Sequence, residues 1–128
     1  MAPIQPNASV VATGLGIRYI GDHCYAYSGM LAGSTSSETT YLEFQPGAGL
    51  IQGEFAVGSV NETTRKTVYI YFNDIGIIKQ DIDNAYSWNN KFNLIIPPLT
   101  LVKVALKLGG DDGMYSWFTF SGRVYGAE

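Results

Sequence analysis

The stretch over residues 114–126 alternates between two kinds of side chain. Phe118, Phe120 and Val124 fall on one face, and a period of two over this length predicts a strand that packs one face against a core. The opposite face carries Tyr115, Trp117, Thr119, Arg123 and Tyr125. Three large aromatic rings on the side that would otherwise meet water indicate that this side contacts another surface.

Turn-forming residues recur about every eight to twelve positions from Ile17 onward, and no stretch holds a helical period. This punctuation is typical of an all-β chain. We predict strands near residues 17–20, 23–31, 38–45, 49–59, 66–73, 75–82, 91–96, 101–108 and 114–126. Residues 1–16 hold two prolines and two glycines, so we predict an extended N-terminal arm there, followed by one domain over residues 17–128.

One connection has a specific turn chemistry. Asn73 and Asp74 tolerate positive φ, which suits a two-residue hairpin between the strands that flank them. The predicted register pairs Phe72 with Ile75, Ile70 with Ile77 and Val68 with Lys79. The other face of this hairpin carries Tyr69, Tyr71 and Ile78, so both of its faces are unusually apolar.

The alternation inside the remaining strands predicts the fold class. Residues 101–108 alternate branched apolar side chains with lysines, while Leu42 and Phe44 are predicted to face inward and Tyr41 and Glu43 outward. About eight such strands in two packed antiparallel sheets predict a jelly-roll β-sandwich. A seven-stranded immunoglobulin-like sandwich is the main rival, although its Cys-Trp-Cys signature is absent from this sequence.

Composition removes several classes of function. The net charge is −3, so binding to a nucleic-acid backbone lacks its main driving force. No run approaches the roughly 20 apolar residues of a membrane helix, and residues 1–9 lack the pattern of a secretion signal. We therefore expect a soluble protein made in a cytoplasm, with neither nucleic acid nor membrane as a partner.

Several segments together resemble small jelly-roll structural proteins of tailed bacteriophages from aquatic settings. They are Asp22–Gly29, Thr40–Phe44, Tyr71–Ile75, Ile95–Val104 and Phe118–Gly126. The resemblance implies a non-enzymatic virion protein that cements or decorates a capsid by binding the major capsid protein, often as a homotrimer. It also implies a place on the capsid surface after assembly in the host cytoplasm, or alternatively in a tail, fibre or vertex that meets the host.

A set of aromatic side chains is predicted to face outward and to form the interface with other subunits. It comprises Tyr41, Tyr69, Tyr71, Tyr115, Trp117 and Tyr125. Such rings bring broad apolar contact with a hydroxyl or indole group, which is the chemistry enriched at protein interfaces. The alternative is that one more strand or the N-terminal arm covers these rings within a single chain.

No combination of residues predicts catalysis, a metal site or a cofactor. His23 and Cys24 are neighbours in a predicted strand and would point to opposite faces, so a structural histidine and a buried thiol are expected. The carboxylates of Asp81, Asp83 and Asp111–Asp112 lack the full spacing of a calcium loop. Gly14-Leu-Gly16 is not followed by the rest of a dinucleotide-binding motif.

A second hypothesis of function is recognition of a host glycan. Tyr86 and Trp88 lie with Asn89 and Asn90 in a predicted loop, and exposed aromatic rings beside amides are typical of a sugar site. The same loop could instead anchor itself by burying Trp88 in the core.

Overall fold

The computed structural model describes residues 17–59, 65–82, 91–109 and 115–125. These residues form ten strands: β1 (Arg18–Ile20), β2 (His23–Tyr27), β3 (Leu31–Ala32), β4 (Thr39–Phe44), β5 (Leu50–Ser59), β6 (Lys66–Phe72), β7 (Ile75–Ile82), β8 (Lys91–Ile96), β9 (Val102–Leu108) and β10 (Tyr115–Tyr125). Among the described residues there is no helix that could span a membrane. The predicted arm over residues 1–16 lies outside these ranges and stays a prediction.

The strands form two antiparallel sheets. In sheet 1 the order is β1-β2-β10-β5-β8, and β3 is a further partner of β10. In sheet 2 the order is β4-β9-β6-β7. Each sheet turns one apolar face inward, and the two inner faces build a single core.

Strand pairing identifies the sandwich as a jelly roll. The pairs are nested along the chain: β2 with β10, β4 with β9, β5 with β8, and β6 with β7. Such nesting arises when one long hairpin winds around a barrel-like core so that successive pairs alternate between the sheets, which is the double Greek key of the jelly roll. The predicted fold class is therefore confirmed, and this strand order differs from that of an immunoglobulin-like sandwich.

Aromatic rings from both sheets fill the centre of the core. Phe120 of β10 has its ring centroid 4.5 Å from that of Phe55 and 5.2 Å from that of Phe44. Phe44 belongs to sheet 2 and the other two rings belong to sheet 1, so this cluster joins the sheets. Phe118 is also fully buried, and the predicted inner face of β10 is thus confirmed.

The expectation that Tyr41 faces outward is wrong. The register between β4 and β9 shifts between Thr40 and Leu42, so Tyr41 is the extra residue of a β-bulge and points inward together with Leu42. Both side chains have no exposed surface. The Tyr41 hydroxyl donates a hydrogen bond to the carbonyl of Leu31 over 3.0 Å, and its ring meets Phe118 edge-on. One inserted residue breaks the alternation of side chains along a strand. A ring that the alternation assigns to the outer face can therefore point into the core.

The hairpin between β6 and β7 has the predicted turn but a different register. Asn73 and Asp74 have φ of 53° and 67°, as a two-residue turn of this kind requires. Beyond the turn a bulge inserts one residue in β7, so Ile70 stands opposite Ile78 instead of Ile77, and Val68 stands opposite Gln80 instead of Lys79. The predicted pairs beyond Phe72 and Ile75 are therefore wrong by one position.

Candidate binding surface

The structure divides the predicted aromatic set among three places. Tyr115, Trp117 and Tyr125 lie on the outer face of sheet 1, where Tyr115 and Tyr125 are 48% and 46% exposed. Tyr69 and Tyr71 lie on the outer face of sheet 2, on the opposite side of the sandwich. With Tyr41 in the core, these rings do not form one continuous surface.

The outer face of sheet 1 carries more apolar side chains than the sequence pattern indicated. Tyr27 is 65% exposed and Met30 59% exposed, and both lie beside β10. The ring of Tyr25 stacks on that of Tyr27 with centroids 6.2 Å apart. The alternation of β2, in which Cys24 and Ala26 are buried and Tyr25 and Tyr27 point outward, is the signal that could have identified these tyrosines.

A break between β2 and β3 shapes this face. Gly29 has a φ of 76°, which turns the chain out of the sheet before β3 resumes pairing with β10. Ser28 closes the gap, because its N–H donates to the carbonyl of Phe118 and its Oγ accepts from the N–H of Phe118, each over 3.0 Å. The outward bend leaves the side chain of Met30 next to the β10 strand.

The bend and the strand enclose an apolar depression of about 360 Å³. It is lined by Tyr27, Gly29, Met30, Trp117, Phe118 and Thr119. Trp117 lies directly over Gly58 of β5, where an added Cβ would stand 2.4 Å from the indole Cε2. The glycine therefore allows the indole to lie flat along the sheet and to form the floor of the depression.

A polar depression of similar volume, about 360 Å³, lies farther along the same face. It is lined by His23, Gln52, Gly53, Glu54, Asn93, Ser121, Gly122 and Arg123. Arg123 forms a forked ion pair with one carboxylate oxygen of Asp22, through Nε at 3.1 Å and a terminal nitrogen at 3.0 Å. Lys91 pairs with Glu54 over 3.5 Å. Paired charges and amides therefore share this face with the apolar depression, and the two depressions reach β10 at Ser121 and at Thr119.

The outer face of sheet 2 has its own aromatic pair. The rings of Tyr69 and Tyr71 stack with centroids 6.3 Å apart, and the ammonium of Lys103 lies 5.6 Å from the Tyr71 centroid. The Tyr71 hydroxyl donates a hydrogen bond of 2.7 Å to the carboxylate of Glu38. These contacts hold the Tyr71 side chain against its own sheet.

We expect the contact between Tyr71 and Glu38 to make stability depend on pH at the alkaline end. The hydrogen bond to Glu38 raises the pKa of Tyr71 to about 12 from its usual value near 10. A raised pKa means that this stabilisation is complete below about pH 10 and is lost as the pH rises toward 12. The measurement is the difference in free energy of unfolding between wild type and Tyr71→Phe, which should be constant from pH 7 to 9 and shrink above pH 10. A difference that does not change with pH would contradict this assignment.

His23 and Cys24 point to opposite faces, as predicted. The His23 side chain is exposed and lies 3.4 Å from Asp22, whereas Cys24 is buried, and burial raises the pKa of its thiol to about 12. Such a thiol is a poor nucleophile. Among the described residues, no group of three or more histidine, cysteine or acidic side chains could hold a metal ion.

The residues of the glycan hypothesis, Tyr86 and Trp88, lie outside the described residues, as do Asp83 and Asp111–Asp112. Their predicted roles stay predictions.

No protein-family model and no curated protein matches the chain. Among solved structures, the chain is similar to a chain of the infectious bursal disease virus VP2 subviral particle, with a TM-score of 0.47 and 16% identity. The match covers 82% of this chain and 33% of the viral chain, so this chain spans about a third of the length of its structural neighbour. The strand order of the two sheets by itself defines a jelly-roll sandwich.

Proposed function

We propose that this chain is a non-enzymatic structural protein of a virion, which attaches to the capsid shell through the outer face of sheet 1. The observation that carries the proposal is the apolar depression around Trp117, with Tyr27 and Met30 largely exposed beside it. The inner face of the same sheet is already buried in the core. Aromatic and methionine side chains concentrated on a second face are typical of a protein interface.

The arrangement around the depression supports the same use. Stable interfaces have an apolar centre with polar residues beside it, and the ion pairs of Arg123 and Lys91 lie on the same sheet to one side of the apolar depression. The face is carried by the paired strands of sheet 1, so we expect docking on a shell with little change in the backbone. Contacts of this kind strengthen one another where the copies on one particle are linked, because each further binding event is then intramolecular.

The partner that we propose for the outer face of sheet 1 follows from the resemblance to small structural proteins of tailed bacteriophages. We propose the major capsid protein, on the outside of the shell, with assembly in the host cytoplasm. The same resemblance predicts a homotrimer on the shell, a state that sedimentation of the purified chain distinguishes from a dimer.

The test is co-sedimentation of the purified chain with shells assembled from the major capsid protein of the same virus. We expect wild type to bind and the variant Tyr27→Ala/Trp117→Ala to bind at least about tenfold more weakly, since aromatic residues at the centre of an interface contribute most of the binding energy. Tyr69→Ala on sheet 2 is the matched control and should bind like wild type. Thermal melting verifies that each variant is folded.

Two results would contradict this proposal. One is a wild-type chain that stays in the supernatant at every shell concentration. The other is a folded double variant that sediments as efficiently as wild type.

A second candidate function is recognition of a host glycan, and it is favoured because both depressions reach the same strand, at Thr119 and at Ser121 of β10. An apolar platform beside Gln52 and Asn93 offers stacking to a sugar ring and amide groups to its hydroxyls. Binding of labelled glycans on an array would support this function if Trp117→Ala abolished it and Tyr69→Ala did not. Absence of any glycan signal from the wild-type chain would exclude it.

A further inference from the structure

Strand β7 is a long edge strand. It has eight residues and ends sheet 2 beside β6, and no described strand pairs with its other side. An edge of this length presents a row of N–H and C=O groups to a further strand. We propose that β7 pairs antiparallel with β7 of a second copy of this chain, across a two-fold axis at Gln80.

The ladder within the hairpin shows which residues turn their backbone groups toward the free side. Past the bulge, Ile78, Gln80 and Ile82 stand opposite Ile70, Val68 and Lys66. In a two-residue hairpin the pair next to the turn is hydrogen-bonded, and bonded and non-bonded pairs alternate from there. This alternation directs the backbone groups of Gln80 to β6, and those of Lys79 and Asp81 to the free edge.

A side-chain contact agrees with this assignment. The amide nitrogen of Gln80 donates to the carbonyl of Asp81 over 3.2 Å. The Asp81 carbonyl can accept this bond from the Gln80 side chain because it points away from β6. In a paired edge the same carbonyl would accept from the backbone of the second copy.

The charges of β7 select one register. A two-fold axis at Lys79 would place the two Lys79 ammonium groups of the dimer opposite each other. An axis at Asp81 would likewise place the two Asp81 carboxylates opposite each other. An axis at Gln80 instead places Lys79 opposite Asp81 of the partner subunit, and the symmetry creates this pair twice. Opposite charges directly across a ladder stabilise pairing and like charges oppose it, so only this register is complementary.

The inner face of β7 fits the same register. Ile78 is half-buried and Ile82 is buried in its own core. The axis at Gln80 places Ile78 next to Ile82 of the partner subunit, so the part of Ile78 that one chain leaves exposed becomes covered. The result is one continuous eight-stranded sheet across two copies, and it leaves the outer face of sheet 1 free.

The first experiment is oxidative cross-linking of Gln80→Cys in the full chain. The two copies of residue 80 form a non-hydrogen-bonded pair with Cα atoms about 4.5 Å apart, close enough for a disulfide. We expect a covalent dimer on a non-reducing gel and in intact mass spectrometry. The native Cys24 does not compete, because it is buried. Ser37→Cys, in the exposed segment before β4, is the matched control and should remain monomeric.

The second experiment exchanges the charges. Lys79→Asp and Asp81→Lys should each raise the dissociation constant of the dimer about tenfold, because each places like charges across the axis. The double variant Lys79→Asp/Asp81→Lys restores both opposite pairs and should restore the dimer. Asp81 also accepts a hydrogen bond from Thr67, so Lys79→Asp, which keeps that bond, is the cleaner single variant.

Sedimentation of the wild-type chain should show a dimer whose mass does not depend on the capsid shell. A chain that stays monomeric or forms only trimers overturns the proposal. So does a Gln80→Cys variant that cross-links no faster than Ser37→Cys, or a charge exchange that fails to restore the dimer.

Discussion

Replacing Phe120 with Ala should lower the free energy of unfolding by about 3–5 kcal/mol, the range for deleting a fully buried aromatic ring. The ring is 1% exposed and contacts Phe44 of sheet 2 and Phe55 of sheet 1. Its removal therefore leaves a cavity between the sheets and breaks the contact that joins them. Because domains of this size are stable by only about 5–15 kcal/mol, a large part of the stability would be lost.

Urea denaturation monitored by circular dichroism measures this effect. Phe120→Leu should cost much less, since it keeps an apolar side chain in place. Thr119→Ala changes the exposed neighbour on the same strand and should stay within about 0.5 kcal/mol of wild type. A loss below about 1 kcal/mol for Phe120→Ala would show that the cluster is not the centre of the core.

Adding one methyl group at Gly53 should destabilise the fold by about 1–3 kcal/mol, as overpacking of a core does. A Cβ at Gly53 would lie 2.3 Å from Cε1 and 2.5 Å from Cζ of Phe120. The ring has little freedom to move, because Phe44 and Phe55 pack against it. Gly53→Ala must therefore shift the ring or the strand.

The measurement compares three glycines of the sheets by thermal and urea unfolding. A Cβ at Gly76 would meet Tyr71 at 3.7 Å, which is ordinary contact, so Gly76→Ala should be nearly neutral. Gly58→Ala would meet Trp117 at 2.4 Å, but this indole is only partly buried and can shift outward. Gly58→Ala should therefore cost less stability than Gly53→Ala while weakening binding to the shell.

A double variant tests the cause of the Gly53 effect. If the clash with the ring is responsible, Gly53→Ala should cost less in a Phe120→Leu background than in wild type, because the two changes act on one contact. Strictly additive losses would mean that the backbone conformation of Gly53 is responsible instead.

The inner face of β10 could be predicted because alternation is a local property. Residues i and i+2 of a strand point the same way whatever the strand pairs with, so Phe118 and Phe120 could be assigned to the core from their spacing. The turn at Asn73 and Asp74 is local in the same sense, since it depends on which residues tolerate positive φ. Both predictions needed no information about distant parts of the chain.

Where a strand contains a β-bulge, alternation did not predict which side chains are buried. The alternation of β4 predicted Tyr41 outside, and one inserted residue turned it inward. A bulge is selected by the fit between two strands far apart in sequence, here β4 and β9, and leaves no mark on the period of either strand alone. A bulge also shifts the register of the hairpin, here between two strands that are neighbours in sequence.

The sequence by itself therefore determined the all-β class, most strand positions and the buried side of each regular strand, because these follow from local spacing and turn chemistry. The tertiary structure alone decided which aromatic rings share a surface. The depression at Trp117 exists because Ser28 reaches a strand 90 residues away and because Gly58 of another strand lies beneath the indole. Such neighbours are set by nested pairing of distant strands, in which each contact depends on the register of all the others.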